Sequence, residues 1–155
     1  SLLRHKESVS SLDELTSGTY QVVIGDDTIT KPDEVNRVVF CSGKIFYELK
    51  AARKEHKIKD IALVRIEQLY PFPHDAFKAQ LELYQNTKEV VWCQEEPSNQ
   101  GAWHRIQHYL LRHLQPHQKL SDAQRASAAS PAGGYMGLHN VRQKEVIETA
   151  LSVGI

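Results

Sequence analysis

The chain has 155 residues, 41% hydrophobic and 25% charged, which is typical of a globular domain with a core of its own and excludes wholesale disorder. Its 19 basic and 19 acidic side chains cancel, so neither a nucleic-acid backbone nor a membrane surface is an expected partner. No apolar run approaches the roughly 20 residues that cross a bilayer.

Residues 1–19 are polar with scattered leucines, and we interpret them as an N-terminal connecting segment before a domain over residues 20–155. The start, S-L-L-R-H-K-E, lacks the apolar core of a signal peptide and does not begin with Met. We therefore expect the chain to be a piece of a longer protein. Within the segment, S-S-L-D-E-L predicts at most a short helical turn.

Five β-rich runs follow in chain order. The first, T-Y-Q-V-V-I, predicts a short strand over residues 20–24. Three nearly all-apolar runs and a weaker last one predict the others: R-V-V-F-C (37–41), I-A-L-V-R-I (61–66), E-V-V-W-C (89–93) and K-L-S-D-A-Q-R (119–125). Strands that are apolar on both sides indicate a mainly parallel sheet covered on both faces, with Val39, Leu63 and Val91 in the core.

Between these runs, apolar residues recur at helical spacing. The predicted helices contain Ile45 to Ala52, Phe77 to Tyr84, Trp103 to Leu114 (stopped by Pro116) and Val141 to Leu151. Alternating strands and helices are the pattern of βαβ units, so the expected class is α/β.

Two cysteines, Cys41 and Cys93, each lie in an apolar run. A disulfide framework or a zinc site needs more cysteines at closer spacing, so we expect free buried thiols in a reducing compartment.

The stretch V-W-C-Q-E-E-P-S-N-Q-G-A-W (91–103) places two carboxylates near the carboxyl end of a predicted strand, where ligands of parallel sheets bind. We expect the strand to end near Cys93. Neighbouring residues of an extended backbone point to opposite sides, which disfavours an acid/base pair. Ser98 or Asn99 is expected to cap the next helix and Gly101 to allow close backbone approach. The preferred interpretation is a turn at an interface. Its candidate residues are Glu95, Glu96, Asn99, Gln100 and Trp103.

Other motifs are weaker. His104 and His108 have the spacing of zinc-binding helices, but H-R-I-Q-H has no glutamate and no third ligand, so a solvated helix face is preferred and no metal site is predicted. In C-S-G-K, Ser42 can cap a helix or the turn can receive a phosphate. Arg65, a charge within an apolar strand, either pairs with Glu67 or binds an anion; both remain open.

Several motifs together resemble one family: S-L-L-R-H, V-V-F-C-S-G-K-I-F-Y-E-L, I-A-L-V-R-I-E-Q-L-Y-P-F-P and W-C-Q-E-E-P-S-N-Q-G-A-W. In order and spacing they are similar to the C-terminal domain of the thiamine-diphosphate-dependent decarboxylase, the first component of the 2-oxoglutarate dehydrogenase complex. The resemblance covers essentially the whole chain. It departs from the family pattern at Lys6 and over residues 124–126, where Q-R-A stands in place of G-R-P or G-R-D.

The resemblance implies a three-layer α/β/α sandwich like the transketolase C-terminal domain, with a five-stranded mixed, mostly parallel sheet whose first strand is antiparallel. It implies a dimeric parent oxidoreductase of the tricarboxylic acid cycle that decarboxylates 2-oxoglutarate and passes the succinyl group to the lipoyl arm of dihydrolipoyl succinyltransferase. Thiamine diphosphate and magnesium are implied in preceding domains and not in this part. The implied compartment is the bacterial cytoplasm or the mitochondrial matrix.

Some members of that family respond to adenosine monophosphate or acetyl-CoA through this domain. The turns after successive parallel strands meet at one edge, so an allosteric pocket for a phosphorylated adenine ligand is expected there. Its candidate residues are Ser42, Lys44, Arg65, Gln68 and Arg125, with Glu67 as the obvious local counter-ion. The alternatives are a stand-alone nucleotide- or flavin-binding domain, or the matching domain of a pyruvate or branched-chain 2-oxoacid dehydrogenase.

Overall fold

The structure, a computed structural model, describes residues 5–9, 12–130 and 135–153. Across these residues five strands and five α-helices alternate, with one 3-10 turn at Pro32–Glu34. The strands are β1 (Val23–Ile24), β2 (Arg37–Cys41), β3 (Ile61–Ile66), β4 (Glu89–Pro97) and β5 (Lys119–Arg125). The helices are α1 (Leu12–Ser17), α2 (Ile45–Glu55), α3 (His74–Leu83), α4 (Trp103–His113) and α5 (Met136–Leu151).

All five strands form one sheet in the order β1-β3-β2-β4-β5. Strands β2 to β5 are parallel to their neighbours, and only β1 runs antiparallel, against β3. In the register of the two central pairs, Val39 lies beside both Leu63 and Val91. The expected five-stranded mixed sheet with an antiparallel first strand is confirmed.

The sheet separates two apolar cores because successive side chains of a strand point to opposite faces. One core joins the face of Phe40 and Trp92 to α3 and α4, and the other joins the face of Val39, Leu63 and Val91 to α2 and α5. Helices therefore cover both faces, which gives the predicted three layers. Val39, Leu63 and Val91 are at most 2% exposed, so their assignment to the core is correct.

Several element bounds differ from the prediction. Strand β1 keeps only two residues of the expected 20–24, and Tyr20 is instead exposed with its hydroxyl donating to the Glu67 carbonyl at 2.8 Å. Helix α5 begins before Val141, at Met136, and α4 ends at His113 because Leu114 is already extended. Residues 1–4, 10–11, 131–134 and 154–155 lie outside the described ranges, and the first two of these ranges carry parts of the S-L-L-R-H motif and of the predicted helical turn.

Strand β4 is longer than predicted, and this changes the setting of the two carboxylates. It continues to Pro97, with a register shift against β5 between Cys93 and Pro97. Glu95 and Glu96 thus lie inside the strand and not beyond its end. In the part of the chain that the structure describes, no helix combines the length and apolar character that a bilayer span requires.

Candidate functional site at the carboxyl edge of the sheet

A cavity of about 680 Å³ opens where β2, β3 and β4 end, on the side of the sheet that α4 covers. Its apolar wall is formed by Leu69, Tyr70, Ile106 and Tyr109. Its polar lining comes from Ser42, Gln94, Glu95, Glu96, Arg105 and His108. The size falls within the range of small-molecule sites, and the place is where parallel sheets bind ligands. We refer to this cavity as the carboxyl-edge crevice.

Tyr70 forms the rim of the crevice and is 88% exposed. It precedes a cis peptide bond to Pro71, which belongs to the L-Y-P-F-P turn after β3. Such a large exposed aromatic side chain beside an apolar cavity is a common feature of protein interfaces.

Gln94 organises the floor of the crevice although the side chain is buried. Its Oε1 accepts the Trp92 indole N–H at 2.9 Å and the backbone N–H groups of Ala102 and Trp103 at 3.2 and 3.1 Å. Its Nε2 donates to the Gln100 carbonyl at 2.9 Å. A single amide therefore ties the end of β4 to the turn and supplies the cap of α4, whose first N–H groups otherwise have no intrahelical acceptor.

The capping predictions were wrong in both places. Helix α4 takes its cap from Gln94 and not from Ser98 or Asn99, because those two side chains point to the segment after β5. Helix α2 begins after Lys44 without a side-chain cap, so Ser42 does not cap it. The prediction for Gly101 is confirmed, because φ is +69° and a Cβ there would lie 2.8 Å from Gln94 Nε2.

The five interface candidates occupy four settings. Asn99 and Gln100 both donate to the Ala128 carbonyl, at 3.0 and 3.2 Å, which holds the turn against the segment after β5. Trp103 is half-buried and packs on the α3/α4 core. Glu95 and Glu96 are separated by the pleat, so they do not form one acid/base pair: Glu96 is exposed, whereas Glu95 has partners on the α2 side.

Glu95 is the centre of a polar cluster between β4, α2 and α5. It forms an ion pair with Lys44, which also reaches Glu48 at 3.4 Å, and it accepts the Gln143 amide at 3.1 Å. Burial alone would lower the pKa of Lys44, but the hydrogen bond and charge of Glu95 outweigh it and raise that pKa. Lys44 is therefore a stable cation, and Glu95 and Glu48 already serve as its counter-ions.

Arg125 joins the same cluster from β5 by donating its Nε to the Glu95 carbonyl. Lys44, Glu95 and Arg125 are thus connected at the carboxyl edge, on the α2/α5 face. Two of the predicted cations come together there: Lys44 has Glu95 and Glu48 as counter-ions, and Arg125 binds the Glu95 backbone carbonyl. The sequence spacing revealed none of these contacts.

Arg65 lies at the end of β3, where it has Glu67 as a counter-ion and contacts two aromatic side chains. Its Nε is 3.7 Å from Glu67 Oε1, its Nη1 reaches the Tyr47 hydroxyl at 3.4 Å, and its guanidinium lies 4.6 Å from the centre of the Phe46 ring. The remaining candidate, Gln68, donates to the Pro71 carbonyl at 2.9 Å. Ser42 lines the crevice on the α4 side, so the five predicted effector residues do not face a single cavity.

Sequence reasoning missed three groupings. The first is the set of hydrogen bonds around Gln94, and the second is a hydrogen bond of 2.9 Å between His74 Nδ1 and His113 Nε2. The third is the Asp26–Arg53 ion pair, of which both side chains are at most 9% exposed. The available sequence signal for this ion pair was Arg53 itself, a charged residue on the apolar face of a helix.

Both cysteines are free and buried, as expected. Burial raises the pKa of Cys41 to about 12 and that of Cys93 well above its ordinary value, so neither thiol is an activated nucleophile. Among the described residues, no three His, Cys, Asp or Glu side chains come together in a way that could hold a metal ion.

Comparison with known proteins gives a consistent picture. A family model described as 2-oxoglutarate dehydrogenase C-terminal matches residues 9–151. The 2-oxoglutarate dehydrogenase E1 components of Haemophilus influenzae and Cupriavidus necator are 52% and 48% identical over 98% of this chain. The mitochondrial 2-oxoglutarate dehydrogenase of Dictyostelium discoideum is 38% identical over 97% of it. This chain spans about a sixth of the length of these curated relatives.

A solved structure titled split gene transketolase, inactive beta4 tetramer, aligns with a TM-score of 0.53 at 14% sequence identity, over 77% of this chain and 39% of that one. At this identity the likeness shows the fold, which is the transketolase C-terminal type. The chain belongs to the 2-oxoglutarate dehydrogenase C-terminal family, as the C-terminal domain of an E1 component.

Proposed function

We propose that this chain is the assembly and regulatory domain of a 2-oxoglutarate dehydrogenase E1 enzyme and takes no direct part in its chemistry. The parent reaction is the decarboxylation of 2-oxoglutarate and transfer of the succinyl group to a lipoyl group of a succinyltransferase component. The observation that carries the proposal is the carboxyl-edge crevice, whose exposed Tyr70 and apolar wall suit contact with other protein and whose two carboxylates have separate environments.

The residues of this chain do not fit thiamine diphosphate. No Gly-Asp-Gly…Asn signature occurs in the sequence, and the described part offers no cluster of metal ligands for the magnesium that accompanies the diphosphate. In this proposal the cofactor and its ion belong to preceding domains of the same enzyme, and this chain contributes surfaces. The intact enzyme is a homodimer in the bacterial cytoplasm or the mitochondrial matrix.

The test uses the chain of 155 residues and the full-length enzyme side by side. With thiamine diphosphate, magnesium and an electron acceptor, we expect turnover of 2-oxoglutarate by the full-length enzyme and none by the chain alone. Turnover by the chain alone contradicts the proposal. Stoichiometric binding of flavin mononucleotide, followed by fluorescence titration, would instead support a self-sufficient cofactor-binding domain.

The regulatory part of the proposal concerns an anionic effector, adenosine monophosphate or acetyl-CoA, at the same edge. The support is the position of Lys44 and Arg125 around Glu95, with Arg65 one strand away and Ser42 at the crevice. A phosphate that binds there must compete with Glu95 and Glu48 for Lys44, so binding is coupled to a rearrangement of these ion pairs.

Activation by either effector is measured in the full-length enzyme before and after Arg65→Ala and Lys44→Ala. We expect both variants to lose most of the response while unstimulated turnover remains. Lys144→Ala is a matched control, because that lysine forms only a surface pair with Glu148 at 3.6 Å. An unchanged response in the first two variants means that these residues are structural.

A further inference from the structure

A second groove, with a volume of about 730 Å³, lies at the opposite end of the molecule, where α2 ends and β2 and β3 begin. Six of its described side chains are basic and only Glu34 is acidic. The basic ones are Lys31, Lys50, Arg53, Lys54, Lys57 and Lys59. In a chain whose charges cancel overall, this is a pronounced local excess. We refer to this surface as the basic groove.

Part of the charge is already neutralised. Arg53 pairs with Asp26, Lys31 with Glu34 at 2.7 Å, and Lys50 with Glu7 at 2.9 Å. The ammonium groups of the other three have no ion-pair partner within the described ranges. These are Lys54, Lys57 and Lys59, all of them exposed. The groove thus keeps three cations without an ion-pair partner in the described ranges, although Lys54 adds a small effect to that of Lys50 in lowering the pKa of Glu7.

Lys57 is placed unusually. It follows the last residues of α2 with a φ of +55°, in the left-handed region, and the next amide, Ile58 N–H, closes the helix on the Arg53 carbonyl at 3.1 Å. Glycine is the common residue at this position, because a side chain disfavours the left-handed conformation. Positive charge near a helix C-terminus is generally favourable, which explains Arg53 and Lys54. Lys31 and Lys59 lie outside the helix, so this effect does not explain them.

The chemistry of the groove favours carboxylates on an extended chain. Helix α2 presents its C-terminal carbonyl groups here. The backbone N–H groups that commonly bind a phosphate lie at helix N-termini, so α2 does not supply them to the groove. Its described lining has no aromatic side chain on which a nucleic-acid base could stack. What it offers is a row of flexible ammonium groups, the hydroxyls of Thr28 and Thr30, and two half-buried isoleucines.

The same composition indicates a partner that binds reversibly. Obligate interfaces are apolar and poor in lysine at their centre, whereas this groove is lysine-rich, and Ile29 and Ile58 are the apolar side chains of its described lining. The groove also lies at the end of the sheet opposite to the crevice with Tyr70. An occupant from a separate polypeptide therefore fits it better than the rest of the same chain.

We propose that the basic groove is a docking surface for an acidic, extended segment of a second protein, which Lys54, Lys57 and Lys59 bind through their free charges. This role is independent of the function proposed for the carboxyl-edge crevice. Association is expected to be fast and to weaken with salt, since exposed ion pairs are screened over about 10 Å at 0.1 M ionic strength.

The first experiment measures fluorescence anisotropy of a labelled peptide of alternating glutamate and serine, titrated with the full-length protein at low salt. The test variant replaces the three free lysines by glutamine (Lys54→Gln, Lys57→Gln, Lys59→Gln). The matched control makes the same change at three exposed lysines elsewhere (Lys78→Gln, Lys88→Gln, Lys119→Gln). We expect a roughly tenfold loss of affinity in the test variant and less than about twofold in the control.

Three outcomes overturn the proposal. Equal losses in the test and control variants mean that the peptide responds to overall charge and not to the groove. Tighter binding of an oligothymidylate of matched charge, lost in the same test variant, assigns the groove to nucleic acid. Protection of the three lysines from an amine-reactive reagent in the full-length protein without any partner means that other parts of the same chain already cover it.

A second experiment identifies the occupant in the assembled complex. A carbodiimide joins ammonium and carboxylate groups that are in direct contact, and mass spectrometry locates the bonds. We expect bonds from Lys54, Lys57 or Lys59 to glutamate or aspartate of a different polypeptide. Bonds only to carboxylates of the same polypeptide contradict the assignment to a second protein.

Discussion

At the scale of single residues, Gln94 has the most consequential environment in the carboxyl-edge crevice. Its carbonyl oxygen accepts three N–H groups and its amide nitrogen donates to the turn that leads into α4. The bond to the Trp92 indole is buried and the other three are partly buried, and a buried donor or acceptor left unsatisfied costs about 1–3 kcal/mol. Gln94 therefore fixes the turn from the side of β4, while Asn99 and Gln100 hold it against the segment after β5.

Replacing Gln94 by leucine keeps the approximate volume but removes the cap and leaves the Trp92 indole without its acceptor. We expect the free energy of unfolding to fall by about 2–4 kcal/mol in urea denaturation. Gln85→Leu, at an exposed position in the turn after α3, is the control and should change it by less than about 0.5 kcal/mol. Equal effects of the two changes contradict the role assigned to Gln94.

Gly101 and Gly43 allow backbone strain to be separated from steric contact. Both have positive φ, +69° and +75°, but a Cβ at Gly101 meets Gln94 at 2.8 Å whereas a Cβ at Gly43 meets nothing within 4 Å. Gly43→Ala should cost the left-handed strain of about 1–2 kcal/mol. Gly101→Ala should cost about 1 kcal/mol more, because the Gln94 amide must shift. Equal losses of stability in thermal denaturation would show that the Gln94 side chain moves aside without an energetic cost.

At the scale of elements, the sequence was most informative where burial decides the structure. The runs R-V-V-F-C and I-A-L-V-R-I are strands with the predicted bounds, because only a strand covered on both faces accommodates such continuous apolar character. Strand β1 was overestimated, since an edge strand gains little from burial and its length depends on its one partner, β3.

The contacts that fix the ends of elements were not predictable. Glu95 pairs with Lys44, 51 positions away, and Arg53 pairs with Asp26, 27 positions away. Neither pair follows a short-range spacing that could be recognised in the sequence. The cap of α4 comes from a side chain within the preceding strand, whereas the common signal is a polar residue immediately before the helix. The sequence therefore located the carboxyl edge as a candidate site but could not show which cations there are already satisfied.

Helices α3 and α4 are joined by the His74–His113 hydrogen bond, which makes their packing sensitive to pH. Burial lowers the pKa of His113, and the neighbouring His74 adds to that effect, followed by Arg112 and Lys78, while Asp75 opposes it. The folded protein thus resists protonation of His113, whereas the unfolded chain takes up the proton near pH 6.5.

Stability is accordingly expected to be constant above about pH 7 and to fall as the pH decreases through about 6.5 toward the lowered pKa of the folded state. Urea denaturation at a series of pH values should show this slope in the wild type. In His113→Asn the slope should be flatter, since the group with the shifted pKa is gone. His104→Asn, an exposed position on the same helix, should retain it. A slope unchanged by His113→Asn would show that the pair does not couple protonation to folding.

At the scale of the whole molecule, the two ends of the sheet differ in character. The carboxyl edge has an aromatic, largely apolar crevice, and the amino edge has the lysine-rich basic groove. Helix α2 begins at Ile45, just after Gly43 of the crevice, and ends at Glu55, beside the basic groove, so the two surfaces lie at opposite ends of this helix. A domain built in this way can pack against its own enzyme at one end and bind a partner at the other.

The carboxyl edge is expected to contact the rest of the enzyme through Tyr70. Tyr70 is 88% exposed here, and burying such an aromatic ring in an interface contributes about 2 kcal/mol or more when it is a central anchor. Tyr70→Ser in the full-length enzyme should therefore weaken the dimer or lower the melting temperature, with little change in the Michaelis constant for 2-oxoglutarate. Trp103→Ala should act in the same direction, with an added loss from the α3/α4 core on which Trp103 packs.

Tyr135→Ser is the matched control, because Tyr135 is a comparably exposed tyrosine (76%) that does not line the crevice. Analytical ultracentrifugation and calorimetry of the three variants distinguish the alternatives. A change of assembly in Tyr70→Ser but not in Tyr135→Ser locates the interface at the crevice. A raised Michaelis constant with the dimer intact would instead place Tyr70 near the substrate, and equal behaviour of the two serine variants would leave the crevice open to solvent in the intact enzyme.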